Sequence, residues 1–192
     1  SEMCIRDRFI ILLMFIGCAT GFNYLPLKEG NYWEYKLVIG QGEFAETGKV
    51  YIKIIKEERP ALYKALLEII KDNDTTEEIH YFLVDKEGVW EFKEGEEEQK
   101  LKILIKDLKI GQRWFCGVSD LFGMGLGKDS VYAEVKGYED LKVPAGIFKK
   151  AVHIEYSTKD MKIEAWFAKD VGKIKETGLG CYNMELLRYK VK

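Results

Sequence analysis

The chain has 192 residues, of which 47% are hydrophobic and 32% are charged, and its net charge is −2. This composition predicts a folded chain with a sizeable core and excludes intrinsic disorder. The 30 basic and 32 acidic residues nearly balance. A nucleic-acid-binding protein needs a basic excess, so we expect no nucleic-acid partner.

The chain opens on an apolar run of eight residues, Phe9–Ile16, which follows Arg6 and Arg8. A membrane-spanning helix needs about 20 apolar residues, so this run is too short to span. It has the length of the hydrophobic region of a signal peptide. A buried core strand is the alternative, but such a strand rarely follows two arginines. We predict a signal peptide over residues 1–17, whose native start is left open because position 1 is not Met.

The residues that end this run are Phe15-Ile16-Gly17-Cys18. They resemble the lipobox of bacterial lipoproteins, which usually has Leu where Phe15 stands. The resemblance implies cleavage before Cys18 and lipidation of Cys18. We therefore expect residues 18–24 to form a tether and residues 25–192 to form one domain. Acyl chains on Cys18 would make the membrane a partner. No Asp follows Cys18, a pattern that resembles outer-membrane sorting in the bacterial cell envelope; an ordinary secretory signal is the alternative.

Beyond the signal, aromatic and β-branched residues alternate with charged ones along the whole chain. This period of two, interrupted by short turns, predicts antiparallel strands in a meander. The predicted strands are Asn31–Ile39, Phe44–Ile55, Thr75–Val84, Val89–Phe92, Val131–Leu141, Ala151–Ser157, Lys162–Ala168 and Tyr182–Val191.

The segment Pro60–Ile70 fits two structures. Its apolar residues stand at helical spacing, and a proline near the start suits a helix. The neighbouring strands favour a further strand, which we predict, with one short helix as the alternative.

A pattern L-K-x-G-[N/Q]-x-W occurs twice, at residues 27–33 and 108–114. Each copy places a turn glycine three residues before a tryptophan that opens a strand. Two copies indicate two related sheet halves, or one sheet with a mid-chain restart. We predict that both tryptophans, Trp33 and Trp114, are buried.

Several motifs in the chain look chemical. Gly123–Ser130 is glycine-rich, but it lacks the residues of a phosphate-binding loop, so we interpret it as a loop that could cover a cavity mouth. The acidic run Glu94–Glu98 lacks the order of a calcium loop and suits a solvated hairpin tip. No nucleophile motif accompanies His80 or His153, and nothing singles out a carboxylate pair for glycoside hydrolysis. We expect no catalytic residue, no metal and no cofactor.

Two cysteines remain once Cys4 is assigned to the signal and Cys18 to lipid: Cys116 and Cys181. Outside the cytoplasm a lone pair is more often bridged than free, so we predict a disulfide between them. Two separate buried thiols are the alternative.

Three ordered segments, 24–33, 143–148 and 166–172, resemble an uncharacterised family of bacterial lipoproteins. Members carry a pLxxGxxW opening, a VPAGxF hairpin and a WYAxxVG strand–turn; Phe167 replaces the usual Tyr. The resemblance implies an all-β fold, a curved antiparallel sheet or half-open barrel similar to lipoprotein-localisation-factor folds, and no catalytic residues.

A half-barrel with few helices to fill it leaves part of its apolar face as a pocket. We therefore expect an apolar or amphipathic ligand, or an envelope protein, on the concave face, and a filled structural domain is the alternative. The candidate groove or flap residues are Trp33, Trp114, Phe122, Met124 and Leu126.

Overall fold

The computed structural model describes residues 22–71, 74–119, 128–178 and 182–192. They form one sheet of twelve antiparallel strands and two single-turn 3₁₀ helices, at Gly42–Phe44 and Glu97–Gln99. The strands are β1 Tyr32–Ile39, β2 Glu46–Arg59, β3 Leu62–Lys71, β4 Asp74–Val84, β5 Gly88–Lys93, β6 Leu101–Ile105, β7 Arg113–Ser119, β8 Asp129–Val143, β9 Gly146–Ser157, β10 Lys162–Ala168, β11 Gly172–Gly178 and β12 Tyr182–Lys190. The all-β antiparallel prediction is confirmed.

The strand order is β6-β5-β4-β3-β2-β1-β12-β11-β10-β9-β8-β7, so the first and last strands pair with each other. The sheet curls into a nearly closed barrel whose two edges, β6 and β7, lie side by side. The Trp114 indole N–H spans these edges and donates to the Lys102 carbonyl at 2.9 Å. At Gly117 an added Cβ would lie 2.7 Å from the Lys100 carbonyl oxygen, so only glycine allows this close approach.

The two ends of the barrel differ in what they carry. Because the strands alternate in direction, the turns after even-numbered strands share one end with residues 22–31 and with the C-terminal residues 191–192. We call this the tether end. The turns after odd-numbered strands, including residues 40–45, 94–100 and 158–161, lie at the far end.

The repeated motif has the same geometry in both copies. Gly30 and Gly111 both have φ of +81°, a left-handed conformation that favours glycine. Their N–H groups donate to the carbonyls of Ile54 at 2.9 Å and Val135 at 2.8 Å. The N–H groups of Ile54 and Val135 return hydrogen bonds to the residue after each glycine. The chain is therefore two six-stranded meanders, β1–β6 and β7–β12, joined in one sheet.

The segment at residues 62–71 is strand β3, as predicted. It pairs with β2 on one side and with β4 on the other, so its backbone groups are used by two neighbours. Leu67 and Ile69 pack against the core, while Leu66 and Ile70 lie on the other face. Apolar residues on both faces hide the period of two, and this is why the local pattern also fitted a helix.

The core lies inside the barrel, and its hydrophobic side chains are spread along the chain from Phe22 to Val191. Alternate residues of each strand point inward; Tyr35 in β1, Ile54 in β2 and Ile154 in β9 are almost wholly buried. The pairing of β1 with β12 joins the two halves of the sheet around this core. The described residues of both halves therefore share one core.

A buried carboxylate on the outer face connects β1 to its two neighbouring strands. The Glu34 side chain is 2% exposed and forms ion pairs with Lys49, at 2.9 Å, and with Arg188. The Tyr51 hydroxyl donates to the same carboxylate at 3.1 Å. Burial alone would raise the pKa of Glu34, but hydrogen bonds from Arg188, Lys49 and Tyr51 outweigh it and lower the pKa. Glu34 therefore remains charged and links β12, β1 and β2.

Candidate functional site

The barrel encloses a cavity of about 260 Å³. Its wall is mostly apolar and includes side chains from both six-stranded halves. The lining residues on the apolar side are Leu25, Leu27, Trp33, Ile52, Ile54, Phe82, Val131, Ile163 and Phe167. Because most of these side chains are buried and inward-facing, the cavity is part of the barrel interior rather than a surface groove.

The segment at residues 22–31 closes the cavity at the tether end. Leu25 and Leu27 face the cavity from this segment. The segment is fixed by Asn31, which is fully buried: its side-chain amide donates to the Pro26 carbonyl at 2.7 Å, and its amide oxygen accepts from the Lys192 N–H at 3.0 Å. Asn31 and Lys192 therefore hold residues 22–31, which we call the plug, in place.

Charged side chains interrupt the apolar wall. Lys173 and Glu176 of β11 both line the cavity and form an ion pair at 2.5 Å. The Tyr182 hydroxyl donates to Glu176 at 2.9 Å. On the opposite half, Glu91 lines the cavity and contacts His80 Nδ1 at 3.0 Å. We call His80, Glu91, Lys173, Glu176 and Tyr182 the polar belt.

In the polar belt, neighbouring charges of opposite sign keep Lys173, Glu91 and His80 in their charged forms. Burial alone would lower the pKa of Lys173, but the charges of Glu176 and Glu91 outweigh it and raise that pKa. Burial would raise the pKa of Glu91, but His80 and Lys173 lower it. The pKa of His80 is raised because Glu91 and Glu78 outweigh its burial. Each of these residues is stabilised in its charged form by a neighbour of opposite sign.

Other polar groups near the cavity have partners. The hydroxyls of Tyr35 and Tyr156 donate to the carbonyls of Lys173, at 2.9 Å, and Ile103, at 2.5 Å. Burial raises the pKa of the Cys116 thiol to about 12. A thiol with this pKa is protonated at neutral pH and is a poor nucleophile. The charged side chains that line the cavity are Glu91, Lys173 and Glu176 of the polar belt and Lys102, which pairs with Glu87 at 2.7 Å.

The predicted site residues fall into three groups. Trp33 lines the cavity, and its indole N–H donates to the Val171 carbonyl at 2.5 Å. Trp114 lies at the β6–β7 edge and is half-buried, so the prediction that both tryptophans are buried is wrong for Trp114. The residues outside the described ranges are Cys18, Phe122, Met124, Leu126 and Cys181.

The predicted disulfide stays a prediction, since one of its cysteines is outside the described ranges. The Cys116 thiol is buried against the cavity and unbonded in the structure. The predicted flap also stays a prediction, because Phe122, Met124 and Leu126 lie outside the described ranges.

The sequence analysis missed the polar belt. His80 and Glu91 stand in predicted strands where charged residues were assigned to solvent, and Lys173 and Glu176 stand in β11, which was not predicted. The sequence did carry one signal for Glu91. Glu91 lies two positions after Val89 in the same strand, so the two side chains share a face, and Val89 is fully buried. A charged residue on the apolar face of a strand indicates an inward-facing charge.

The arrangement suits recognition of a small molecule with one polar and one apolar part. The belt presents carboxylates and an ammonium group, and the wall presents aliphatic and aromatic carbon. Among the described residues, no cluster of three or more His, Cys, Asp or Glu side chains could hold a metal ion.

No protein-family model matches the chain, and neither a curated protein nor a solved structure matches it significantly. In the described part of the chain, no helix has the length and apolar character needed to cross a membrane.

Proposed function

We propose that this chain is a non-enzymatic lipoprotein of the bacterial cell envelope, anchored through Cys18, that binds a small amphipathic ligand inside its barrel. The observation that carries the ligand proposal is the cavity of about 260 Å³ with charged side chains on an apolar wall. Ligand pockets typically measure about 300–1,000 Å³, so the cavity is near the lower limit. The ligand is therefore small.

The charges of the cavity define how such a ligand lies. Its apolar part packs against Ile52, Ile54 and Phe82, and its polar part contacts the polar belt. Lys173 offers an ammonium donor, while Glu91 and Glu176 accept hydrogen bonds. Burying a polar ligand group without partners costs about 1–3 kcal/mol, so the belt provides the partners that an amphipathic ligand requires.

Mass spectrometry of small molecules that copurify with residues 19–192 tests the ligand proposal. We expect one class of amphipathic molecule at near-stoichiometric amount. A Lys173→Met variant keeps the side-chain length but removes the charge, so it should retain an apolar dye and lose the copurifying molecule. Absence of any bound molecule, together with no saturable dye uptake, would contradict the proposal.

Metabolic labelling with palmitate tests the anchor. The wild-type chain should incorporate the label and should require detergent for extraction from membranes. The Cys18→Ala variant should fold but incorporate no label. Equal labelling of the two proteins would refute lipidation at Cys18.

The alternative function is that of a structural or assembly-accessory lipoprotein with no ligand. The outer face of β7 and β8 favours it, because Phe115, Val118 and Tyr132 are 49%, 46% and 46% exposed on neighbouring strands. Exposed apolar residues of this kind mark protein contacts. Substituting Phe115 by Ser should then abolish capture of an envelope protein while dye uptake stays unchanged.

A further inference from the structure

The tether end of the barrel exposes basic and apolar side chains together. The β8–β9 hairpin tip is held against β12 by a hydrogen bond from the Ala145 N–H to the Leu186 carbonyl, at 2.9 Å. The ring of Phe148 in this hairpin also packs against the ring of Tyr189 in β12, with the two ring centroids 6.1 Å apart. Ile147, at this tip, is 64% exposed.

Lysines surround this apolar tip. Lys142, Lys149 and Lys150 belong to the hairpin, and Lys190 and Lys192 to the end of the chain; all five are exposed. Lys149 is paired with Asp140 at 2.6 Å. Within the described ranges, Lys142 and Lys190 form no ion pair. We call Lys142, Ile147, Lys150, Tyr189 and Lys190 the basic patch.

The far end carries a cluster of the opposite charge. The β5–β6 connection there carries four exposed carboxylates, on Glu94, Glu96, Glu97 and Glu98. The lysines at the tether end and this acidic cluster at the far end orient the barrel in the field of a negatively charged surface, because the lysines are attracted and the carboxylates repelled.

The first residue that the structure describes lies at the tether end. This residue is Phe22, which begins the plug and packs against the core. Cys18 precedes it by four residues, which span at most about 14 Å when fully extended. An acyl anchor at Cys18 therefore keeps the tether end close to the bilayer.

We propose that the basic patch docks on the anionic headgroups of a lipid bilayer, with Ile147 and Ile110 inserted at the interface. Ile110 is 67% exposed in the β6–β7 connection at the same end. Lysines contribute to binding through headgroup phosphates, and apolar tips contribute by burial among acyl chains. The placement of the bilayer rests on the proposed anchor at Cys18, whereas the chemistry of the patch does not.

Vesicle sedimentation of residues 19–192 tests the patch without the anchor. Vesicles of phosphatidylcholine with phosphatidylglycerol are compared with vesicles of phosphatidylcholine alone. Each basic side chain near an anionic surface contributes a factor of about five to binding. The Lys142→Gln/Lys190→Gln variant should therefore bind the anionic vesicles about 25-fold more weakly. Ile147→Ser should also weaken binding.

Matched substitutions at the far end serve as controls. Lys128→Gln/Lys159→Gln removes two exposed lysines, and Phe44→Ser removes a side chain that is 88% exposed. Both should bind the vesicles like the wild-type domain. Equal loss in the patch and control variants, or no preference for anionic vesicles, would overturn the proposal. Dye uptake and palmitate labelling measure the proposed function separately, so a failure of docking leaves them intact.

Discussion

Replacing Trp33 by Ala should cause one of the largest losses of stability available in this domain. The Trp33 side chain is 2% exposed and packs at the tether end of the cavity. A buried tryptophan removes about 200 Å² of apolar surface from water, which at about 25 cal/mol per Å² is worth about 5 kcal/mol. Measured losses for such truncations are about 3–5 kcal/mol, and we expect a loss in that range.

Two comparisons separate the causes of this loss. Trp33→Phe keeps a six-membered aromatic ring but loses the pyrrole ring and leaves the Val171 carbonyl without the indole N–H, so it should cost about 1–2 kcal/mol. Trp114→Ala removes the equivalent tryptophan of the second repeat. Because Trp114 is only half-buried, its truncation should cost about 2 kcal/mol.

Urea unfolding of residues 19–192 measures all three variants, with the midpoint interpreted only where the m-value is unchanged. The expected order of destabilisation is Trp33→Ala first, then Trp114→Ala and Trp33→Phe together. An equal loss for the two alanine variants, or a larger loss for Trp114→Ala, would refute the argument from burial.

Three further outcomes follow from the charges and thiols. Glu34→Gln should destabilise the domain by about 1–3 kcal/mol at neutral pH. Because the pKa of Glu34 is lowered by folding, this difference is present above the ordinary carboxyl pKa of about 4.3 and should vanish in acid unfolding curves. The pKa of His80 is raised, so its contribution is full below about pH 6.5 and is lost as the pH rises through the higher folded value. His80→Gln should therefore reduce the change in the free energy of unfolding between about pH 6.5 and the higher folded pKa. The same change in the variant and the wild-type domain would contradict this role of His80. Thiol labelling of the native, unreduced domain should be near zero if Cys116 and Cys181 are bridged, and labelling of both in the unfolded, unreduced domain would refute the disulfide.

The fold was largely predictable from the sequence, because alternation in strands such as Lys162–Ala168 reports directly which side chains face the core. The glycine pattern at Gly30 and Gly111 predicted two related halves or one sheet with a mid-chain restart, and the structure has two similar meanders within one sheet. The strands β6 and β11 were not predicted, and of β7 only its start at Trp114 was predicted. β6 is short, and β7 has a bulge between Phe115 and Gly117, so neither shows a clean period of two. In β11 a bulge opposite Trp166 and Phe167 has the same effect.

The candidate site was less predictable than the fold. Trp33 was named as a candidate because its motif places it at the start of a strand. The pairing of Lys173 with Glu176 depends on a bulge in β11, which turns both residues toward the cavity. The approach of Glu91 to these residues depends on the curvature of the whole sheet. Contacts that form between distant strands leave no local pattern in a sequence.

Uptake of an apolar fluorescent dye by a cavity-filling variant tests the central claim most directly. Val131 faces the cavity and is fully buried, whereas Val118, on the neighbouring strand, faces outward and is 46% exposed. The same substitution at both sites, Val131→Phe and Val118→Phe, forms a matched pair. If the barrel cavity is the ligand site, Val131→Phe abolishes saturable uptake and Val118→Phe leaves it unchanged. Uptake that survives Val131→Phe in a folded protein would contradict the account.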